Sequence, residues 1–252
     1  MNLPNPFPAG LQATATVNLT IPTTTKYKFK RAGTAGNLIS VVLDESGSMT
    51  SCWDDTITGF NEYVNGQRAA DAGSCWLTLN KFEGGHIRTV FANSDIKTAP
   101  ELSKKNYSPA GGTNLLDAIG YTIEQVNTLL AGKKKKDRPG VIIVIMTDGD
   151  ENQSRKYNNE MIKSMVAAAE KADWSFVFLG ANIDSFSVGS TFGMNVSNSV
   201  NYNTANMTGT MATLSATTTR MRSAKMAGMD TQAVYSTTMF TDEEKNSMMK
   251  GK

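Results

Sequence analysis

The sequence predicts an α/β fold: a doubly wound, mostly parallel central sheet of about six strands, with one antiparallel edge strand and helices on both faces. Three observations carry that expectation. From Asn37 to Tyr202, short apolar runs alternate with stretches whose apolar residues recur at helical spacing. The run Val141–Met146 is apolar at every position, as a central parallel strand covered by helices on both faces has to be. One pair of strand-like runs is joined by Gly84-Gly85, the kind of short connection that makes an antiparallel hairpin.

Residues 1–36 stand apart as an N-terminal extension. Val17-Asn18-Leu19-Thr20-Ile21 and Lys26-Tyr27-Lys28-Phe29-Lys30 alternate with period two around Pro22 and a threonine run, the pattern of a β-hairpin. Its Lys26, Lys28 and Lys30 would share one face, which could attract an anionic partner, although lysines on an exposed edge strand more often protect it from pairing with another sheet.

The body spans 37–203. Leu38–Leu43 reads as a buried strand, and Trp53, Ile57, Phe60 and Val64 then mark one face of a helix. Trp76–Phe82 and Ile87–Phe91 form the hairpin. Leu116, Ile119, Ile123, Val126 and Leu130 make a second amphipathic helix, ended by Gly132 and Lys133–Lys136. Val141–Met146 belongs in mid-sheet. A third helix turns Met161, Ile162, Met165, Val166 and Ala169 inward. The strand Ser175–Leu179, a short helical piece over Phe186–Phe192 and a last strand near Val196–Tyr202 complete it. Residues 204–252 read as a C-terminal helix over 204–229, with Met207, Met211, Leu214 and Met221 in a stripe that packs on the body, followed by a frayed polar tail.

Composition removes several function classes. The 252 residues carry 25 basic and 23 acidic side chains, so the whole-molecule field favours neither nucleic acid nor an anionic membrane. The local cluster Lys133–Lys136 with Arg138 follows a helix C-terminus, where cations meet the helix dipole favourably, and reads as a solvated loop. No apolar run approaches the roughly 20 residues of a spanning helix, and the N-terminus lacks a basic region followed by an apolar stretch. A soluble, unexported, cytoplasmic protein is expected. Cys52 and Cys75 are expected to be free thiols. The single histidine, His86, argues against histidine-based catalysis and most zinc sites.

In an open parallel sheet, ligands bind beyond the carboxyl ends of the strands, where strand order reverses. Three loops should meet there: Asp44-Glu45-Ser46-Gly47-Ser48, Pro109-Ala110-Gly111-Gly112-Thr113-Asn114 and Thr147-Asp148-Gly149-Asp150-Glu151. Asp44 and Asp148 supply carboxylates, and Ser46, Ser48 and Thr113 supply hydroxyls, with neither nitrogen nor sulfur among them. Hard oxygen donors of this kind suit Mg²⁺, with Mn²⁺ or Ca²⁺ as alternatives. A cation held largely by neutral hydroxyls keeps enough charge to attract an outside carboxylate. Helix capping by Ser46, Ser48 and Thr113 and a turn at Asp148-Gly149 are the competing roles, and they do not explain why all three loops fall at one sheet end.

These residues resemble the metal-ion-dependent adhesion site (MIDAS) of von Willebrand factor A (vWA) domains, which combines Asp-x-Ser-x-Ser, a Thr on a second loop and an Asp on a third. Here the parts are Asp44, Ser46 and Ser48, then Thr113 in Gly-Gly-Thr-Asn, then Asp148 in Thr-Asp-Gly. The resemblance covers roughly residues 37–200. It implies that Ser46 and Ser48 coordinate directly, that Asp44 and Asp148 do so directly or through water, and that Thr113 joins in the ligand-bound state. Gly111-Gly112 would give the Thr113 loop freedom to move. Glu45, Gly112, Asp150 and Glu151 would form the rim facing a partner. In size, and in Phe178-Leu179-Gly180-Ala181-Asn182, the chain is similar to short bacterial and phage-encoded members, which places it in a bacterial host cytoplasm or a virion.

The function expected is a non-catalytic module that engages an exposed Asp or Glu of a protein partner, such as an AAA-type ATPase or a virion or host protein, through the bound cation. Two alternatives stand beside it. A metal-dependent hydrolase or phosphotransferase would use Asp44 or a metal-activated water, but Ser46 stands where a second Asp would serve as general acid. A structural virion or assembly protein with a vestigial metal site is the other.

Overall fold

The computed structural model describes residues 35–250, so the hairpin expected between Val17 and Lys30 lies outside the described residues. The body comprises β1 (Asn37–Asp44), α1 (Trp53–Ala69), β2 (Cys75–Glu83), β3 (His86–Asp95), α2 (Leu115–Leu130), β4 (Gly140–Thr147), α3 (Asn159–Glu170), β5 (Ser175–Gly180), α4 (Ser185–Thr191) and β6 (Ser199–Asn201). The sheet order is β3-β2-β1-β4-β5-β6. Every neighbouring pair is parallel except β2 and β3, whose hairpin turns at Gly84 and Gly85 with φ of 54° and 85°. Both glycines occupy the left-handed region that such a two-residue turn requires.

The apolar strands are buried on both faces because helices cover both. Ile39, Val41 and Leu43 of β1 join Phe60 and Val64 of α1 on one side. Leu38 and Val42 point the other way, toward Ile119 and Ile123 of α2 and Ile162 and Val166 of α3. Each buried aliphatic side chain contributes roughly 1.5–3 kcal/mol, and the period-two division between faces fixes the register of β1. The central pair, β1 and β4, is where strand order reverses, so their carboxyl ends open the crevice in which such sheets bind ligands.

Beyond the body, α5 (Met207–Met226) lays Met207, Met211, Leu214 and Met221 into the core on the α1 side. Glycines on α1 permit the close approach: a Cβ on Gly66 would stand 2.3 Å from Ser215 Oγ, and one on Gly59 2.9 Å from Met211 Cγ. The buried Arg222 donates from Nη1 to the Gln67 carbonyl at 2.9 Å and from Nη2 to the Gly73 carbonyl at 2.9 Å.

The frayed polar tail expected at the end is instead two short helices, α6 (Thr231–Thr238) and α7 (Asp242–Met249). Sparse apolar anchors hold them, since Val234, Tyr235, Phe240 and Met248 are all buried. Thr241 and Glu244 form a capping box at the start of α7. The basic cluster is also not uniformly solvated. Lys134, Lys135 and Lys136 are exposed, but Arg138 is buried and donates from Nε to the Lys133 carbonyl at 2.9 Å. No helix among the described residues is long and apolar enough to cross a membrane.

Candidate functional site

Because β1 and β4 are paired in parallel with Leu43 opposite Met146, the residues that leave them, Asp44 and Thr147, emerge side by side. Thr147 Oγ1 donates to Asp44 Oδ2 at 2.6 Å, and the Ser46 amide donates to Asp44 Oδ1 at 2.7 Å. A short polar chain continues from there. Ser46 Oγ lies 3.0 Å from Ser48 Oγ, and Ser48 Oγ donates to Asp148 Oδ1 at 2.6 Å. Thr113 belongs to the same cluster: a Cβ placed on Gly149 would stand 3.5 Å from Thr113 Oγ1 and 3.7 Å from Ser48 Oγ. The three loops therefore bring Asp44, Ser46, Ser48, Thr113 and Asp148 together at one end of the sheet.

The hydroxyls are not helix caps. Ser46 precedes a 3₁₀ turn over Gly47–Cys52 without a side-chain cap hydrogen bond, and the N-cap of α2 is Asn114, also without one. Thr113 stands one residue too early to cap α2. The N-terminal amide of Leu116 is served by Glu151 Oε2 at 2.8 Å instead. That leaves the three hydroxyl groups directed into the cluster.

Two buried phenols hold the strand ends. Tyr107 OH donates to the Asp44 carbonyl at 2.7 Å and Tyr202 OH to the Thr147 carbonyl at 3.2 Å. Burial holds both phenols well above the usual tyrosine range, so they remain donors. The Thr113 loop is pinned rather than free. The Gly47 amide donates to the Gly111 carbonyl at 3.0 Å, the Gly84 amide to the Gly112 carbonyl at 2.9 Å, and the Thr113 amide to Asn152 Oδ1 at 2.9 Å. The Thr113 carbonyl in turn accepts the Asn152 and Gln153 amides at 2.9 and 3.1 Å. Gly111 has φ of 63°, and a Cβ there would come within 2.9 Å of the Gly84 backbone, so it serves a close approach to the β2–β3 turn.

Asp44 is 0 % exposed and Asp148 3 % exposed, and among the described residues no ion pair involves either. Burial pushes the Asp44 carboxyl up to about 6; hydrogen bonds from Thr147 and Ser46 oppose that rise and the nearby Asp148 adds to it. Burial likewise raises Asp148 above the usual carboxylate range, against the hydrogen bond from Ser48. Among the described residues no group of three or more His, Cys, Asp or Glu side chains is placed to hold a metal ion. The cluster has a different composition, two carboxylates with hydroxyls, which is a hard oxygen donor set.

The four expected rim residues separate. Glu45 is not on the rim: it is 1 % exposed, pairs with Lys81 Nζ at 2.7 Å and accepts the Ser108 amide. The Glu45 amide donates to the Phe82 carbonyl at 2.9 Å, so the residue next to Asp44 is turned toward β2 and its lysine. Glu151 is half-buried and organises its own loop, accepting from the amides of Leu116, Gln153 and Ser154 and from Ser154 Oγ at 2.7–2.9 Å. Asp150 is exposed and Gly112 half-buried, with room at Gly112 limited by Gln153, whose Cδ would be 2.7 Å from an added Cβ.

Several positioning residues carried no recognisable sequence signal: Tyr107, Tyr202, Asn152 and Asp117. The Asp117 carboxylate accepts the amides of Arg155, Lys156 and Tyr157 at 2.9–3.0 Å and so knits the β4–α3 loop to α2. Thr147, in contrast, lies inside the Thr-Asp-Gly triplet and was available to be read.

No protein-family model and no curated protein matches the sequence. Solved structures of similar fold include proximal thread matrix protein 1 from the mussel byssus, with a TM-score of 0.53 and 13% identity over 75% of this chain and 48% of that chain. Another form of that protein, with a zinc-occupied MIDAS motif, has a TM-score of 0.50 and 12% identity over 76% of this chain and 49% of that one. The pilus adhesin SpaC from Lactobacillus rhamnosus GG, in an open conformation, has a TM-score of 0.55 and 13% identity over 77% of this chain and 31% of that chain. This chain therefore spans less than half the length of these structures. The fold is vWA-like, and at these identities the likeness is one of fold.

Proposed function

We propose that this protein is a non-catalytic, metal-dependent protein-binding module whose divalent cation is held by Asp44, Ser46, Ser48, Thr113 and Asp148. One observation carries the reading: two buried carboxylates that no cationic side chain pairs with among the described residues converge with three hydroxyls at the switch point of the sheet. Leaving buried negative charge uncompensated is costly, and a hard cation is the counter-charge that this donor set suits. Mg²⁺ is the ion proposed, with Mn²⁺ and Ca²⁺ as substitutes of similar preference for oxygen.

When bound, the ion would supply a Lewis-acidic position for a carboxylate oxygen of a partner protein. The chain's own residues do the rest. Tyr107 and Tyr202 hold the strand ends, Thr147 orients Asp44, and Ser48 bridges the first and third loops. The zinc-occupied MIDAS motif of the byssal matrix protein and the adhesin role of SpaC support a site of this kind on this fold. Against catalysis, Ser46 occupies the place of a general acid, and His86, exposed at the start of β3, is not among the cluster.

The test uses a terminally blocked aspartate peptide and its asparagine counterpart, titrated into the isotope-labelled protein and followed by backbone amide shifts. With Mg²⁺, the aspartate peptide should move Ser46–Ser48, Thr113 and Gly149, and the asparagine peptide should not. Equal shifts in chelator and in Mg²⁺ would refute the proposal.

A further inference from the structure

We propose that a groove beside the cation site, between the β4–α3 loop and α4, receives a lysine or arginine side chain from the same partner segment that supplies the acidic residue. The proposal rests on the function proposed above and adds to it the chemistry of the partner. The groove has a volume of about 650 Å³ and includes Gly149, which follows Asp148 in the chain and where an added Cβ would stand 3.5 Å from Thr113 Oγ1. The groove thus begins beside the cluster, on the loop that carries Asp148, and one short segment of chain can span the two.

Its lining combines an apolar wall with open negative charge. Leu116, Val188 and Phe192 contribute the wall, and Asp150 and Glu151 the carboxylates. No Lys or Arg is in the lining; Arg155 and Lys156, on the same loop, lie outside it. The two carboxylates differ in availability. Glu151 is committed to four hydrogen bonds, three within its loop and one from α2, whereas Asp150 is exposed and takes part in no ion pair among the described residues.

An aliphatic stem ending in a cation complements this arrangement, because long basic side chains bury their methylenes along apolar surface while keeping the charged head at a polar edge. A neutral apolar side chain would cover Asp150 without pairing it, and an acidic one would face Asp150 and Glu151 together. The groove is also preformed. Asp117 and Glu151 fix the β4–α3 loop through backbone amides, so little ordering accompanies binding.

The test uses terminally blocked peptides, each with one aspartate and one arginine separated by up to about three glycines, a span that covers the reach of adjacent sites. Each is paired with a counterpart in which uncharged citrulline replaces arginine. Titrated into the full labelled chain in Mg²⁺, at least one arginine peptide should bind about fivefold or more tightly than its counterpart and shift the amides of Leu116, Asp150 and Val188. The preference should vanish in Asp150→Asn. Equal affinities within every pair, or a preference that survives Asp150→Asn, would overturn the groove assignment. The two proposals fail separately. Mg²⁺ dependence without an arginine preference removes the groove alone. An Asp150-dependent preference that is the same in chelator removes the metal reading alone.

Discussion

Replacing Asp44 by asparagine should stabilise the metal-free protein at neutral pH while removing its response to Mg²⁺. Burial pushes the Asp44 carboxyl from the ordinary aspartate value of 3.8 up to about 6. A carboxyl with a raised pKa in the folded state binds more protons there than in the unfolded chain between those two values. Stability therefore falls as pH rises through that window, and the cost is fully present above it. At about 1.4 kcal/mol per pKa unit, the charge costs on the order of 3 kcal/mol at pH 7. Asparagine keeps most of the local bonding. Its oxygen accepts from the Ser46 amide, and its NH₂ donates to Thr147 Oγ1, whose own proton passes to the Gly149 carbonyl 3.0 Å away. Allowing for imperfect geometry, a gain of about 2 kcal/mol is expected, or roughly 4–8 °C in Tm for a chain of this size. Melts in chelator at pH 7.5 and near pH 4 measure it: Asp44→Asn should exceed wild type at the higher pH and lose most of that advantage at the lower. A variant less stable than wild type at both pH values would show that Asp44 is a structural acceptor and that the charge-burial argument is wrong.

Other outcomes follow from the same geometry. Gly66→Ala should cost about 1–3 kcal/mol in urea melts, since its methyl would meet Ser215 Oγ across the α1–α5 contact; an unchanged midpoint would mean that α5 shifts freely. Burial lowers Lys225 from the usual lysine value to about 8, against Asp173, whose carbonyl accepts from Nζ at 2.7 Å. The unfolded chain then binds the extra proton between about 8 and 10.5, so the cost of burying the charge is present below that window and relieved across it. Wild type should accordingly gain up to about 3 kcal/mol relative to Lys225→Met as pH rises from 8 toward 10.5, and a pH-independent difference would contradict this. Thr113→Ala should keep most of the Mg²⁺ affinity but lose Mg²⁺-dependent binding of the aspartate peptide, whereas Ser48→Ala weakens both. Calorimetry and amide shifts separate the two, and wild-type peptide binding by Thr113→Ala would exclude an adhesion-type mechanism.

The fold was legible because the strands carry its signal twice, in consecutive apolar residues and in the breaks between them. Val141–Met146 lies beside β1 at the centre of the sheet, and the Gly84-Gly85 turn makes β3 the antiparallel edge. The cluster residues were legible because the strand ends are adjacent in space although 100 residues separate Ser48 from Asp148. Side-chain direction was not. Glu45 and Asp150 lie one and two residues from a cluster carboxylate, yet one is drawn inward by Lys81 and the other left in solvent, a choice made by tertiary contacts alone. The loop glycines read as freedom, whereas Gly111 serves an approach to Gly84 that no local pattern records. Gly59 and Gly66 likewise have meaning only once α5 lies against them. The helices after residue 230 were missed because their buried residues are few, although the Thr241-Asp242-Glu243-Glu244 capping box was readable.

The convergent carboxylates and hydroxyls are proposed to hold one divalent cation. Titration calorimetry of chelator-treated protein with Mg²⁺ and with Mn²⁺ tests it most directly, using wild type and Asp148→Ala, with melts to establish that both are folded. Wild type should bind one ion per chain, at the cluster formed by the three loops, and the variant at least about tenfold more weakly, the loss expected on removing one of that cluster's two carboxylates. No saturable binding by folded wild type at millimolar ion, or equal affinity in Asp148→Ala, would contradict it.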